Sequence, residues 1–240
     1  MTTTSSPNTI DRRKLLYGSA VVATVAVAGS LIYAMVRPTP RAETARRPVR
    51  RPRAPVNVTE AELLKPGPLP DLVMGNPNAP VTIVEYASMT CNHCASFHTK
   101  VLPALKEKYI DTGKVRLVFR EFPLDERAAL ASMMARCSGG EKALPLISML
   151  FAKQDEWAMS KQDFLPKLFK FGQQVGFTKQ SFDECRQNEK LIRDIIAIRD
   201  RGNTAFGVNS TPTFFVNGKK LEGAGTVEEF DKALAPLVKS

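Results

Sequence analysis

The chain is poor in the residues that build metal centres: its 240 residues include only two histidines, four cysteines and a single tryptophan. A structural zinc site takes four ligands, usually in closely spaced pairs. Here one close cysteine pair exists, and neither histidine nor the other two cysteines repeat its spacing. Glycine, at 14 residues, is too sparse for a collagen-like repeat. Past Arg53 neither sign of charge dominates, with 24 basic against 22 acidic residues. The overall charge of +10 therefore does not describe a nucleic-acid-binding globular domain. It comes from the N-terminal tract between Asp11 and Arg53, where ten basic residues face two acidic ones. No internal repeat is visible from Val56 onward. With 43% apolar and 24% charged residues, the chain has enough material for one compact domain plus extensions.

The extensions are at the front. After a basic tail at 1–14 ending in Arg12-Arg13-Lys14, residues 15–36 (LLYGSAVVATVAVAGSLIYAMV) carry no charge. As a helix this stretch reaches about 33 Å, enough to cross a hydrocarbon core. It reads as a transmembrane anchor or a signal peptide. Ala26-Val27-Ala28 offers a small-residue cleavage site, but the apolar run continues to Val36, which favours the uncleaved anchor. Arg12-Arg13 before Leu15-Leu16 also resembles a twin-arginine export signal. Residues 37–65 open with a tract rich in proline and arginine that cannot bury a core and suits a stiff, solvated spacer. Without interleaved aromatic residues it is a poor fit to nucleic acid, and anionic lipid headgroups suit it better.

The body alternates β and helical patterns. Val81 to Tyr86 (VTIVEY) predicts a buried strand, and Phe97, Val101, Leu105 and Tyr109 predict an amphipathic helix kinked at Pro103 and closed by Gly113. Val115 to Phe119 (VRLVF) predicts the next strand, completing a βαβ unit. From about 125 to 200 only helical patterns occur. Thr213 to Val216 then predicts a strand, Asn217-Gly218 a tight hairpin and Lys219 to Glu222 its return. Thr226 to Glu229 forms a capping box before a last helix. The expected fold is α/β: βαβ, an inserted helical block, then ββα.

Cys91-Asn92-His93-Cys94 falls between the first of these strands and its helix. There the free N–H groups and the positive end of the helix favour a thiolate on Cys91, with His93 as a further donor. A thiol so acidified makes a good leaving group and an oxidising disulfide. A CxxC pair at this junction points to redox exchange, with Cys91 as nucleophile and Cys94 as the more buried, resolving thiol. Haem attachment needs a histidine after the second cysteine, where Ala95 stands. A Cu(I)-handling module is the other use of such a pair. Thr211-Pro212, just before the late strand, occupies the position of the cis-proline loop that faces CxxC in thioredoxin-like folds.

These segments, GNPNAPVTIVEYASMTCNHC, FREFPL and STPTFFVNGKKLEGA, resemble the DsbA-like thiol:disulfide oxidoreductases of the bacterial envelope. The resemblance covers residues 66–238 and implies a thioredoxin-like fold with an inserted helical domain, disulfide formation in thiol-containing exported proteins, recycling by a membrane quinone-linked thiol oxidase, no cofactor and no metal. It implies a periplasmic domain tethered to the inner membrane, or released there by cleavage. Glu85, six residues before Cys91, matches a buried acid that the family places near the resolving cysteine, where the resemblance implies that it assists proton transfer; a salt-bridged carboxylate at a strand edge is the plainer alternative. Asn92 stands where the best-known members have proline. Thr211 stands where many oxidases have valine, so oxidase, reductase and isomerase all stay open. Seven arginines just after the span would by charge alone keep the body cytoplasmic; thiol oxidation demands the opposite side and overrides that statistical rule.

In an exported chain the remaining Cys137 and Cys185 are expected to form a structural disulfide, worth about 4 kcal/mol in the chain-entropy picture. His98 is expected on the helix surface. Trp157, Phe151, Phe164, Phe169 and Phe171 are expected to pack among the inserted helices; a groove beside the cysteines is the alternative place for some of them.

Overall fold

The computed structural model describes residues 58–160, 163–223 and 225–238. The basic tail, the apolar span at 15–36 and the linker up to residue 57 lie outside them. Among the described residues no helix is long and apolar enough to cross a membrane.

Five strands form one sheet in the order β1-β3-β2-β4-β5. They are β1 (Leu72–Met74), β2 (Val81–Ala87), β3 (Val115–Glu121), β4 (Thr213–Val216) and β5 (Lys219–Leu221). The central β2 runs parallel to β3 and antiparallel to β4, and all seven of its residues are buried. A strand covered on both faces reads as a near-continuous apolar run, which in VTIVEY is broken by Thr82 and Glu85. β1 lies in the proline-rich loop before β2, where the sequence gives no strand signal; pairing of Leu72 with Phe119 and Met74 with Leu117 holds it.

Helix α1 (Glu60–Leu63) is opened by a Thr59–Glu62 capping box. The helix after β2, α2, is a continuous run of Asn92–Ser96, Phe97–Val101, Leu102–Leu105 and Lys106–Ile110. Its second and fourth segments are wound with the wider π spacing. Pro103 has no N–H to give, and the ladder before it loosens: the Leu102 N–H reaches back five residues to the Phe97 carbonyl. The Thr99 hydroxyl donates to the Ala95 carbonyl at 2.7 Å. The expected kink at Pro103 is thus taken up as π turns.

Between β3 and β4 lie α3 (Glu126–Cys137), α4 (Gly140–Ala152), α5 (Gln154–Trp157), α6 (Leu165–Gln174), α7 (Lys179–Arg186) and α8 (Glu189–Phe206). Helix α9 (Val227–Leu234) closes the described chain behind the expected Thr226–Glu229 capping box. Side chains of alternate strand residues divide the core. Val81, Ile83, Leu117, Phe214 and Val216 meet α2 and α9. Val84, Tyr86, Val118 and Phe215 meet Leu63 and the second half of α8. Ala87 and Phe119 continue the first face into the helical block, where Trp157 is fully buried. Helix α8 therefore belongs partly to the block, through Leu191 and Ile195, and partly to the sheet, through Ile198 and Phe206.

The approach of α8 to the sheet is set at Gly202. A Cβ there would stand 2.7 Å from Cε1 of Tyr86, a side chain only 1% exposed. Alanine gains about 1 kcal/mol in helix propensity over glycine, yet overpacking against a pinned ring costs more. Gly202→Ala is expected to lower stability by about 1–3 kcal/mol in urea unfolding. An unchanged or raised midpoint would contradict the close packing.

Candidate active site

The strand β2 ends at Ala87, and Ser88 to Thr90 turn the chain into α2. Cys91 is the N-cap residue, one position earlier than a helical one, and its backbone is extended. Its N–H bonds to the Ser88 carbonyl at 3.1 Å and its carbonyl accepts the Ala95 N–H at 3.0 Å. The loop is braced from the helical block. Gln154, buried at the start of α5, donates through Nε2 to the carbonyls of Met89 at 2.9 Å and Cys91 at 3.1 Å. Thr90 donates at 2.6 Å to Asp125, whose other oxygen caps α3. Sequence reasoning missed Gln154 and Asp125 in these roles; for Asp125 the N-cap pattern before Glu126 was a usable signal.

Cys91 and Cys94 are free thiols here, the first half-buried and the second fully buried. Their acidities are pushed in opposite directions. The Cys91 thiol is lowered to about 5, first by the thiol of Cys94 donating to its sulfur, then by Thr211 and by the backbone N–H groups of Cys94 and His93 at the helix start. The Cys94 thiol is pushed far up, first by burial and then by its donation to Cys91, with the Glu85 carboxylate adding to the effect. His93 itself is exposed, and its backbone N–H is among the groups that lower Cys91. Asn92 is exposed beside it.

Thr211-Pro212 is a cis peptide bond, and the Thr211 carbonyl accepts from Cys91 Sγ at 3.2 Å. The Thr211 hydroxyl is buried and has no hydrogen-bond partner among the described residues. It is placed to donate to the sulfur once that is charged. A groove of about 300 Å³ opens beside the pair, walled by His93, Phe97, Pro212, Phe214, Lys220 and Glu222. Five other aromatic residues pack in the helical block, as expected, and not on this groove: Trp157 and Phe151 are buried there, with Phe164, Phe169 and Phe171 packed beside them.

Glu85 is fully buried in the middle of the sheet, between Phe119 of β3 and Phe214 of β4 in the register, so the strand-edge alternative is not what is seen. It bonds His98 Nε2 at 3.0 and 3.2 Å. His98 is only 8% exposed, against the expectation of a surface residue. Four-residue spacing from Cys94 already put it on the buried face of α2. Cys137 and Cys185 are joined in a disulfide between α3 and α7. Among the described residues no group of three or more histidine, cysteine or carboxylate side chains is arranged to hold a metal ion.

A strand leading into a helix that starts at a CxxC pair, opposed by a proline loop from the next antiparallel strand, defines a thioredoxin-fold dithiol site. The thioredoxin family profile matches residues 69–235. The chain is 32% identical to Wolbachia pipientis alpha-DsbA1, with a TM-score of 0.68 over 75% of this chain and 96% of that one. Two Rickettsia proteins whose names assign them to the protein-disulfide oxidoreductases are similar in sequence. The R. bellii protein is 37% identical over 63% of this chain and 59% of its own length. The R. prowazekii protein is 34% identical over 68% of this chain and 60% of its own. The chain thus spans less than two thirds of these curated relatives. It belongs to the DsbA-like thiol:disulfide oxidoreductase family of the thioredoxin superfamily.

Proposed function

We propose that this chain is an exported, membrane-tethered thiol oxidase that introduces disulfide bonds into envelope proteins. A thiolate of the substrate attacks Cys91 Sγ of the oxidised pair. The Cys91–Cys94 bond breaks, its electron pair goes to Cys94, and a mixed disulfide forms on Cys91. The second thiol of the substrate then displaces Cys91 as a thiolate, leaving the site reduced. A quinone-linked thiol oxidase of the membrane would restore the disulfide, and residues 15–36 would hold the domain on the periplasmic side.

The observation that carries this reading is the acidity of Cys91, whose leaving ability favours giving the disulfide away. Its thiolate stabilises the reduced protein alone. Because the pKa in the fold is depressed, that contribution is complete above the ordinary thiol value near 8.5 and is lost as pH falls through about 5. The reduced form is therefore expected to unfold at higher temperature than the oxidised form at pH 7.5, with the gap closing towards pH 5. Equilibration with glutathione is expected to give a potential well above that of thioredoxin, about −270 mV. A value near that figure would point to the reductase or isomerase reading, and tight Cu(I) binding without turnover would point to a metallochaperone.

A further inference from the structure

The turn that carries Cys91 joins the end of β2 to the start of α2, and its main chain is held from outside both. Gln154 Nε2 donates to the Met89 carbonyl at 2.9 Å and to the Cys91 carbonyl at 3.1 Å, and the residue is only 4% exposed. An amide nitrogen carries two N–H donors in one plane, so a single group fixes these two carbonyls relative to each other. Its mount is rigid. Gln154 opens the one-turn helix α5, and its own carbonyl accepts the Ala158 N–H at 2.8 Å. Trp157 of the same turn is fully buried and donates through Nε1 to the Leu150 carbonyl of α4 at 2.9 Å. In return the side chains of Met89 and Cys94 enter the core of the helical block.

The Cys91 carbonyl matters because of what the other end of that residue does. As an N-cap, Cys91 has an extended backbone, with φ −82° and ψ 120°, while its carbonyl already takes the first helical bond from the Ala95 N–H. That pose turns its side chain towards the free N–H groups of the first helical turn, where a charged sulfur is favoured. Resting on the oxidoreductase reading above, we propose that Gln154 is a positioning residue: it holds Cys91 in the N-cap pose in which the N–H groups of His93 and Cys94 serve its sulfur, and so sets how strongly the Cys91–Cys94 pair oxidises. It acts through the main chain. The donors stand in place before charge reaches the sulfur, so nothing has to reorganise as Cys91 departs as a thiolate. Charged and titratable groups around the turn are few. Cys94 and the exposed His93 belong to α2, Glu85 acts on Cys94 from β2, and Asp125 bonds Thr90 ahead of α3. Asp155 and Glu156 of α5 are exposed. The inserted helical block thus has a part in the chemistry, through a side chain that carries no charge of its own.

The test is made on the full chain with Gln154→Met, which fills similar space without a donor. Two quantities are measured: the pH half-point of Cys91 alkylation and the equilibrium with glutathione. The variant is expected to weaken the acidity of Cys91 about tenfold, its half-point rising from about pH 5, and to disfavour the reduced form about tenfold at pH 7. A depressed thiol stabilises the reduced form only where it is ionised, so the two glutathione equilibria should converge as pH falls below about 5. A wild-type half-point and equilibrium overturn the proposal, even if urea unfolding shows a loss of stability. Arg127→Met is the control. It removes the donor to the Ala158 and Ser160 carbonyls in the same block and should leave both quantities as in the wild type. An equal shift there also overturns the proposal, because loosening of the block would then suffice. Should Gln154→Met fail to fold, Gln154→Asn, which withdraws the amide by one methylene, is measured the same way, and wild-type values there overturn it equally. A wild-type chain inert towards glutathione takes down the oxidoreductase reading itself, and this inference with it.

Discussion

A Cys94→Ala variant is expected to lose turnover by at least about two orders of magnitude and to accumulate as a mixed disulfide through Cys91. Without Cys94 there is no internal sulfur to displace a partner from Cys91, so any adduct formed by disulfide exchange persists. A second effect distinguishes this from simple removal of a nucleophile. The leading cause of the acidity of Cys91 is the Cys94 thiol donating to its sulfur. Removing that donor should move the half-point of Cys91 alkylation upward from about pH 5, while the N–H groups of the helix start keep it below an ordinary thiol. Mass spectrometry after mixing with a peptide disulfide reads the adduct, and pH-dependent alkylation reads the shift. Sustained multiple turnover, or an unmoved half-point, would refute the division of labour between the two sulfurs. A Cys91→Ser control should form no adduct at the site.

The largest loss of stability is expected at Arg120, on the sheet face away from α2. Its guanidinium is buried and makes a bidentate pair with Asp71, both contacts at 2.9 Å. It also donates to the Leu63 carbonyl at 2.7 Å and to the Tyr86 hydroxyl at 3.0 Å. One side chain thus ties β3 to α1, β2 and the loop before β1. Arg120→Ala leaves a buried carbonyl and a buried hydroxyl without their partner and should cost about 3–5 kcal/mol. Arg120→Lys keeps the charge but not the fork and should recover only part of that. Urea unfolding at pH 7 measures both, and a loss below about 1 kcal/mol for alanine would place the stability of this corner in apolar packing. Folded material should keep the Cys91 alkylation profile, because Arg120 does not share a face with the cysteines.

What the sequence disclosed follows from how local each signal is. VTIVEY, VRLVF and TFFV are apolar runs of strand length, and Asn217-Gly218 with φ of 44° and 81° is a turn that those two residue types adopt readily. The CxxC pair and the Thr211-Pro212 loop were legible because their spacing to neighbouring strands is short and fixed. β1 was not legible: Leu72 to Met74 sits among prolines and becomes a strand only because β3 offers an open edge. His98 was misread because polarity was weighted above position. A histidine four residues from a buried cysteine belongs inside if a carboxylate waits there, and Glu85 is thirteen residues away in sequence. Gln154 was invisible for the same reason, since its partners lie more than sixty positions upstream.

That glutamine has a wider meaning. Both of its contacts run from a single amide nitrogen to main-chain oxygens of the turn bearing Cys91, so the insertion is sewn to the turn that makes the chemistry possible. Trimming the chain to a minimal sheet and its flanking helices would take Gln154 from both oxygens, leaving that of Cys91 with the Ala95 N–H alone, and would remove Phe151, on which the His98 ring stacks. The added helices act as a brace for the reactive sulfurs, and a cut between them and the sheet would reach the turn that carries those sulfurs.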